Sequence, residues 1–154
     1  MTKKTPDREQ KKVRDKAKKE LERLEGIDEK TIQMIDQFKY RFNICETIYK
    51  VILLEYKRKK GLKIKSSDLR LNMKEVPAAL RFAGYDFKGK EYLLAELFGS
   101  KRPNSQKGKT AKKLRDAVTH GISNSAITEI KNRQIEVFNY MDSFIGVIKK
   151  FDSQ

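Results

Sequence analysis

The sequence predicts an all-α protein, a helical bundle with two long amphipathic helices and shorter connecting helices. Apolar residues recur at steps of three and four along most of the 154 residues, and the polar and apolar alternation of half-buried strands is almost absent. Only three prolines and eight glycines interrupt the chain. Long periodic segments with few helix breakers between them are typical of a bundle.

Gly26 separates the first two predicted helices. The segment from Asp7 to Glu25 has a thin apolar stripe among many charges, so it is either an outer helix that packs or a basic arm that frays. The second helix begins near Asp28 or Thr31, either of which can cap its free amides, and ends near Lys59. Its predicted core face consists of Ile35, Phe38, Phe42, Cys45, Tyr49, Ile52 and Tyr56, widened by Ile48, Leu53 and Leu54.

Two shorter helices are expected in the middle of the chain. Ser66 and Ser67 begin a short irregular stretch, after which Pro77 suits the first residue of a helix that Gly84 ends. The next helix is predicted from Lys88 to Phe98. These short segments connect the two long helices of the bundle.

The last third of the chain is predicted to contain a loop and two helices. The loop runs from Gly99 to Lys109 and is either a mobile contact for a substrate or a plain surface connection; its cations are Lys101, Arg102, Lys107 and Lys109. A helix follows from Thr110 to His120 and is closed by Gly121. The final helix is predicted from Asn124 to Phe151, with one apolar stripe in which Gln134 is the polar member, and it should pair with the second helix.

Composition restricts the possible functions. Lys and Arg number 36 against 21 Asp and Glu, so the formal charge of +15 indicates an acidic partner, RNA or another nucleic acid before an anionic membrane. No apolar run is long enough to span a membrane, and the segment from Met1 to Gln10 lacks the apolar part of a signal peptide, so we expect a cytoplasmic protein. One cysteine, Cys45, and one histidine, His120, exclude an internal disulfide and a Cys/His zinc site, and we expect no metal and no cofactor.

We divide the chain into two parts on these grounds. Residues 1–26 form a basic charged N-terminal helix or arm, and residues 27–154 form the helical domain. The residues that could carry out a reaction lie in the last third of the chain, within this helical domain.

The segment from Lys112 to Gly121 contains the only histidine of the chain. Asp116 lies four residues before His120 and so shares a helix face with it, which allows its carboxylate to orient the imidazole. A histidine can transfer a proton near neutral pH, and Arg115 offers forked donors for a phosphate, so the pair suits cleavage of a phosphodiester. The spacing alone is also compatible with a histidine that only stabilises the end of its helix.

This segment resembles the signature of HEPN-domain ribonucleases. The resemblance rests on Arg115 and His120 at Arg-x4-His spacing, with Asp116 directly after the arginine, Leu114 before it and Gly121 after the histidine. It also rests on context, because the motif lies late in a helical chain between a basic loop and a long amphipathic helix. The segment from Asp7 to Glu25 has no counterpart in the resemblance.

The resemblance implies a metal-independent endoribonuclease that works as a homodimer with a composite active site. Arg115 would stabilise the phosphate charge, and His120 would transfer a proton as the ribose 2′-hydroxyl attacks phosphorus. The RNA-binding residues would be Lys101, Arg102, Lys107, Lys109, Lys112 and Lys113. Family members act in toxin-antitoxin pairs, abortive infection or antiviral defence, which implies an antitoxin or another defence-system partner protein.

Two other classes of function remain open from the sequence. One is a non-catalytic basic helical RNA-binding subunit of a ribonucleoprotein assembly, which explains the charge equally well. The other is an adaptor or antitoxin-like partner whose helices pack on another protein. One further pairing is weighed: Glu46 on the second helix either faces Arg115 or is an ordinary exposed charge, and the sequence favours the exposed charge.

Overall fold

The structure, a computed structural model, describes residues 7–65, 69 and 75–152. Within these ranges the chain is helical and contains no strand, which confirms the predicted fold class. The described helices are α1 (Asp7–Glu25), α2 (Glu29–Lys59), α3 (Val76–Phe82), α4 (Glu91–Phe98), α5 (Ala111–Thr119), α6 (Asn124–Asn132) and α7 (Gln134–Asp152). The irregular stretch predicted to begin at Ser66 and Ser67 lies outside the described residues.

The chain divides into two compact units, Met1–Met34 and Ile35–Gln154. The boundary falls inside α2, whereas the sequence places a boundary after Gly26. In the first unit, α1 is helical throughout Asp7–Glu25 and has no buried residue. Asp28 caps α2, because its carboxylate accepts a hydrogen bond from the Thr31 N–H at 2.7 Å. None of the helices in the described ranges is both long and apolar enough to cross a bilayer.

The core of the second unit is built around Phe98 at the end of α4. Its ring stacks on Tyr49 of α2 with centroids 5.0 Å apart and meets Phe144 of α7 edge-on at 5.5 Å. The core face of α2 has the predicted spacing, since Phe38, Phe42, Cys45, Tyr49 and Leu53 are all fully buried. Aromatic packing at one residue therefore joins three helices.

The predicted pairing of α2 with the last helix is confirmed. The Cys45 thiol donates to the Met141 carbonyl at 3.7 Å, and Arg41 donates to the Asp142 carboxylate at 3.0 Å. Burial, aided by Asp142, raises the pKa of Cys45 to about 12. The thiol is therefore a packing group in the neutral form rather than a reactive one.

Two predicted helix boundaries are wrong. The helix predicted from Lys88 begins only at Glu91, because Gly89 has a φ of +80° and the Lys88 N–H donates to the Asp86 carboxylate. The single last helix from Asn124 to Phe151 is two helices, α6 and α7, separated at Arg133, which has φ −111° and ψ 18°. Gln134, predicted within the apolar stripe, is the exposed first residue of α7, and the Phe151 side chain lies outside the described residues.

A buried carboxylate explains the break between α6 and α7. The Glu96 side chain is 1% exposed, and it accepts hydrogen bonds from Arg102 at 2.9 and 3.0 Å. The Arg133 guanidinium lies 3.7 Å from the same carboxylate and also donates to Glu129 and Glu136. Because a buried charge is tolerated only when it is paired, these contacts hold Arg133 at the point where the helix ends.

Removal of the Glu96 carboxylate should destabilise the fold strongly. In Glu96→Ala the buried cations of Arg102 and Arg133 lose a shared partner, which we expect to lower the free energy of unfolding by about 3–5 kcal/mol in urea titration. The control is Glu55→Ala, whose partner Arg58 lies at 3.5 Å on an exposed surface. That change should cost less than about 1 kcal/mol, and equal losses in the two variants would contradict a structural role for Glu96.

Candidate functional site

Helix α5 carries the predicted motif, with Thr110 as the cap at its start and His120 as the cap residue at its end. Thr110 caps its first turn by accepting from the Lys113 N–H at 3.4 Å, and Leu114 and Val118 are buried toward the core. His120 is the residue that ends the helix, and its N–H donates to the Asp116 carbonyl at 3.0 Å. Packing of this apolar face positions α5, the helix that carries Arg115.

Arg115 is held from three directions. Its Nη1 and Nη2 donate to the Glu46 carboxylate at 3.2 and 3.0 Å, and Nη1 also donates to the Asn43 side chain at 3.2 Å. Its Nε donates to Asp116 at 2.9 Å. The guanidinium carbon lies 4.6 Å from the centroid of the Phe42 ring. The guanidinium is therefore fixed in place between α2 and α5.

The pairing of Glu46 with Arg115 is the interpretation that the sequence disfavoured. Both side chains are mostly buried, at 15% and 17% exposure, and the pair is bidentate. Burial opposes the charge of Arg115, but its hydrogen bonds to Glu46 and Asp116 raise the pKa above the usual arginine value. Asn43, Glu46 and Lys50 recur at steps of three and four, so a polar stripe beside the core face was a usable signal in the sequence.

His120 is exposed and lies at the end of α5. The Asp116 carboxylate, predicted to orient its ring, accepts from Arg115, and the contact of Asp116 with His120 runs through the backbone. The helix was expected to close at Gly121, but the left-handed residue of the following turn is Ile122, with a φ of +47°. A β-branched residue in this region is strained, so the turn after His120 is imposed by its surroundings.

The basic loop is fastened at both ends. The Thr110 hydroxyl donates to the Gly99 carbonyl at 2.8 Å. The Lys109 N–H donates to Glu129 at 2.7 Å, and its carbonyl accepts from Arg133 at 2.8 Å. Gly108, with a φ of +101°, allows this approach, because a Cβ there would lie 2.5 Å from a Glu129 oxygen. The loop is therefore a closed surface loop on α6 rather than a free strand of chain.

Only some of the predicted RNA-binding cations are at the surface. The Arg102 side chain is 8% exposed and donates to Glu96, Glu136 and the Lys107 carbonyl. Arg102 therefore has a structural role in the fold, and its side chain is not among the exposed cations of this set. The exposed cations of this set are Lys101, Lys107, Lys109 and Lys113, and Lys112 is half-buried.

Sequence reasoning missed two groups of residues at this site. One is Asn43 together with the ring of Phe42, both of which contact Arg115 from α2. The other is Glu129 with Arg133, which hold the basic loop. Among the described residues, no cluster of histidine, cysteine or acidic side chains is arranged to hold a metal ion.

Comparison of the chain with protein-family models, with curated proteins and with solved structures gives no match.

The bidentate pair predicts a measurable coupling between α2 and α5. In a double-mutant cycle of Arg115→Ala and Glu46→Ala, we expect a coupling energy of about 1–2 kcal/mol, because the ionic hydrogen bonds are mostly buried. Arg41 with Asp142 is the matched control, since Arg41 also lies over a ring, that of Phe138, but the two side chains are 34% and 56% exposed. Its coupling should be below about 1 kcal/mol. Equal couplings in chemical denaturation would show that burial does not strengthen the Arg115 pair.

Proposed function

We propose that this chain is a metal-independent endoribonuclease that cleaves RNA by attack of the ribose 2′-hydroxyl. The observation that carries the proposal is the placement of a fixed Arg115 guanidinium in α5 and an exposed His120 at the C-terminal cap of the same helix. The resemblance of this segment to HEPN-domain ribonucleases and the formal charge of +15 support the same function. Because only RNA carries the 2′-hydroxyl, the substrate is RNA and not DNA.

The reaction needs a positive group for the phosphate and groups that move two protons. Arg115 has five N–H donors, and four of them bind Asn43, Glu46 and Asp116. Within the part of the chain that the structure describes, one Nη2 N–H is left for a phosphate oxygen. The 2′-oxygen forms a bond to phosphorus, and the bond from phosphorus to the next 5′-oxygen breaks. One proton leaves the 2′-hydroxyl and one reaches the 5′-oxygen, with His120 as the proton-transfer residue.

A homodimer supplies the second proton-transfer group. One chain contributes a single histidine, whereas the reaction benefits from both a base and an acid. A two-fold axis repeats each residue across the interface, so two copies of Arg115 and His120 line one cleft. The exposed Lys113 and the half-buried Lys112 would lie at its rim.

The cellular setting follows from the same resemblance. An RNA-cleaving chain of this kind acts in the cytoplasm, within prokaryotic defence such as abortive infection or within a toxin-antitoxin system. An antitoxin or another defence-system protein would then hold its activity in check.

One observation favours a second function, a non-catalytic RNA-binding subunit. Most donors of Arg115 are occupied by side chains of its own chain, as expected of a structural arginine. In that case the exposed cations bind phosphates, and His120 only ends its helix. The two functions differ in whether RNA is cut.

Substitution of His120 separates them. His120→Ala should abolish cleavage of single-stranded RNA while leaving helicity and melting temperature unchanged, because the side chain is exposed. Thr119→Ala, an exposed neighbour on the same helix, is the control and should keep full activity. Cleavage that survives in His120→Ala would overturn the mechanism, and binding without cleavage by the native chain would favour the non-catalytic subunit.

The exposed loop lysines should supply affinity for phosphates. Replacement of Lys101, Lys107 and Lys109 by Gln should reduce the slope of log binding constant against log salt concentration by up to about 2 for single-stranded RNA. The reason is that fewer phosphate contacts release fewer counterions from the RNA on binding. A variant with equal charge loss elsewhere, Lys39, Lys131 and Lys149 to Gln, should change the slope less. If both variants change it equally, the loop is only a surface connection.

A further inference from the structure

Helix α2 carries apolar side chains on the side opposite its core face. The outer stripe, as we name it, consists of Tyr40, Ile44, Thr47, Val51 and Leu54. Tyr40 is 65% exposed and Val51 is 59% exposed, Thr47 is exposed, and the other two are half-buried. Single exposed apolar side chains are common, but a contiguous row of them along one side of a helix marks a candidate interaction surface.

The helical rotation confirms that the outer stripe is separate from the core. At about 100° per residue, the five positions fall within about 80° of one another. The buried residues Phe38, Phe42, Cys45 and Tyr49 are centred about 170° away. A helix that is apolar on two opposite sides has two packing surfaces, and the core of its own chain uses one of them.

The residues around the outer stripe are self-complementary when a second α2 runs antiparallel. About Thr47 as centre, Tyr40 is as far in sequence from the centre as Leu54, and Asp36 is as far as Arg58. An antiparallel copy therefore places Tyr40 against Leu54 and the Asp36 carboxylate against the Arg58 guanidinium. Arg58 is free to re-pair, because its contact with Glu55 is an exposed one at 3.5 Å.

We infer that the outer stripe docks a second copy of this chain, antiparallel and two-fold symmetric about Thr47. The apolar stripe spans about 21 Å at 1.5 Å per residue. The charges at its ends favour the antiparallel direction, because a parallel pair would place like charges together at each end. The partner is thus specified by both the apolar pattern and the charge pattern of one helix.

This arrangement completes the site, a consequence that rests on the proposed ribonuclease function. The two-fold axis is perpendicular to both α2 helices, so an element on one flank of α2 has its copy on the same flank of the partner. Helix α5 lies on the flank marked by Asn43 and Glu46, about 100° around α2 from the outer stripe. Glu46 is one residue from the central Thr47, so both Arg115 side chains come to one face near the axis.

Cysteine cross-linking of the full-length chain tests this register. At an interaxial distance of about 10 Å and a Cα radius of about 2.3 Å, facing Cα atoms lie about 5.4 Å apart, within disulfide range. Thr47→Cys should therefore form a covalent dimer on mild oxidation, whereas Tyr40→Cys is about 21 Å from its own copy and should not. An equimolar mixture of Tyr40→Cys and Leu54→Cys should cross-link. The native Cys45 is buried and should not contribute.

A second measurement keeps the result independent of thiol chemistry. Val51→Lys places two cations near the axis and should shift the sedimenting mass from twice the 18.0 kDa chain to the chain itself. Ile135→Lys, at an 81% exposed apolar residue of α7, is the control and should leave the dimer intact. A native monomer, or cross-linking of Tyr40→Cys alone that equals that of Thr47→Cys, would overturn the inference, as would a Val51→Lys chain that stays dimeric.

The outcomes also separate this inference from the proposed function. A dimer that cross-links through Thr47→Cys but does not cleave RNA supports the interface and contradicts the ribonuclease proposal. An active chain that sediments as a monomer contradicts both the interface and the composite dimeric site, and it leaves RNA cleavage itself standing. Loss of RNA binding in Val51→Lys without a change in mass would assign the outer stripe to nucleic acid and overturn the inference.

Discussion

The ion pairs of the buried Glu96 carboxylate with Arg102 and Arg133 are the interaction on which the arrangement of the C-terminal half depends. The Glu96 carboxylate binds Arg102 of the basic loop and lies close to Arg133, the residue that separates α6 from α7. Both guanidinium groups are largely removed from solvent. Through Arg133 and Glu129 the same network holds the loop backbone at Lys109, directly before the cap of α5. Burial opposes ionisation of Glu136, but hydrogen bonds from Arg133 and Tyr140 and the charges of Arg133 and Arg102 together lower its pKa below the usual range. The position of α5, and with it the candidate site, is set by this network.

Arg115 is placed by a second and smaller ionic contact, which has a functional consequence. A free arginine on a short helix would sample many rotamers, whereas Glu46 and the Phe42 ring fix this one. Fixation lowers the cost of orienting the cation for a phosphate, but it also commits most of the donors. The two proposed functions make different demands on Arg115. Catalysis requires that its remaining Nη2 N–H face a substrate phosphate, whereas a non-catalytic RNA-binding subunit does not require this. A second copy of the chain across the outer stripe would place two such cations on one face.

The sequence predicts the helices well where periodicity is long and the caps are local. Asp28 caps α2 and Pro77 lies in the first turn of α3, as the sequence predicts. Thr110, predicted as the first residue of its helix, is the residue that caps it. The break at Arg133 was not predictable from periodicity, because it results from carboxylates at residues 96, 129 and 136 that meet only in the fold. The burial of Arg102 was missed for the same reason, since a cation in a Gly- and Ser-rich loop is usually exposed. At the site, Arg115 and His120 were evident as residue types, but Glu46, the partner of Arg115, lies 69 positions away along the chain.

The most direct test of the account is the chemistry of the RNA ends that the purified chain produces. Mass spectrometry of a short RNA after incubation should find 2′,3′-cyclic phosphate on one fragment and 5′-hydroxyl on the other, because the 2′-oxygen replaces the 5′-oxygen on phosphorus. A chain that leaves 5′-phosphate ends, or that cuts a fully 2′-deoxy strand equally well, would contradict the assignment of Arg115 and His120 to this reaction.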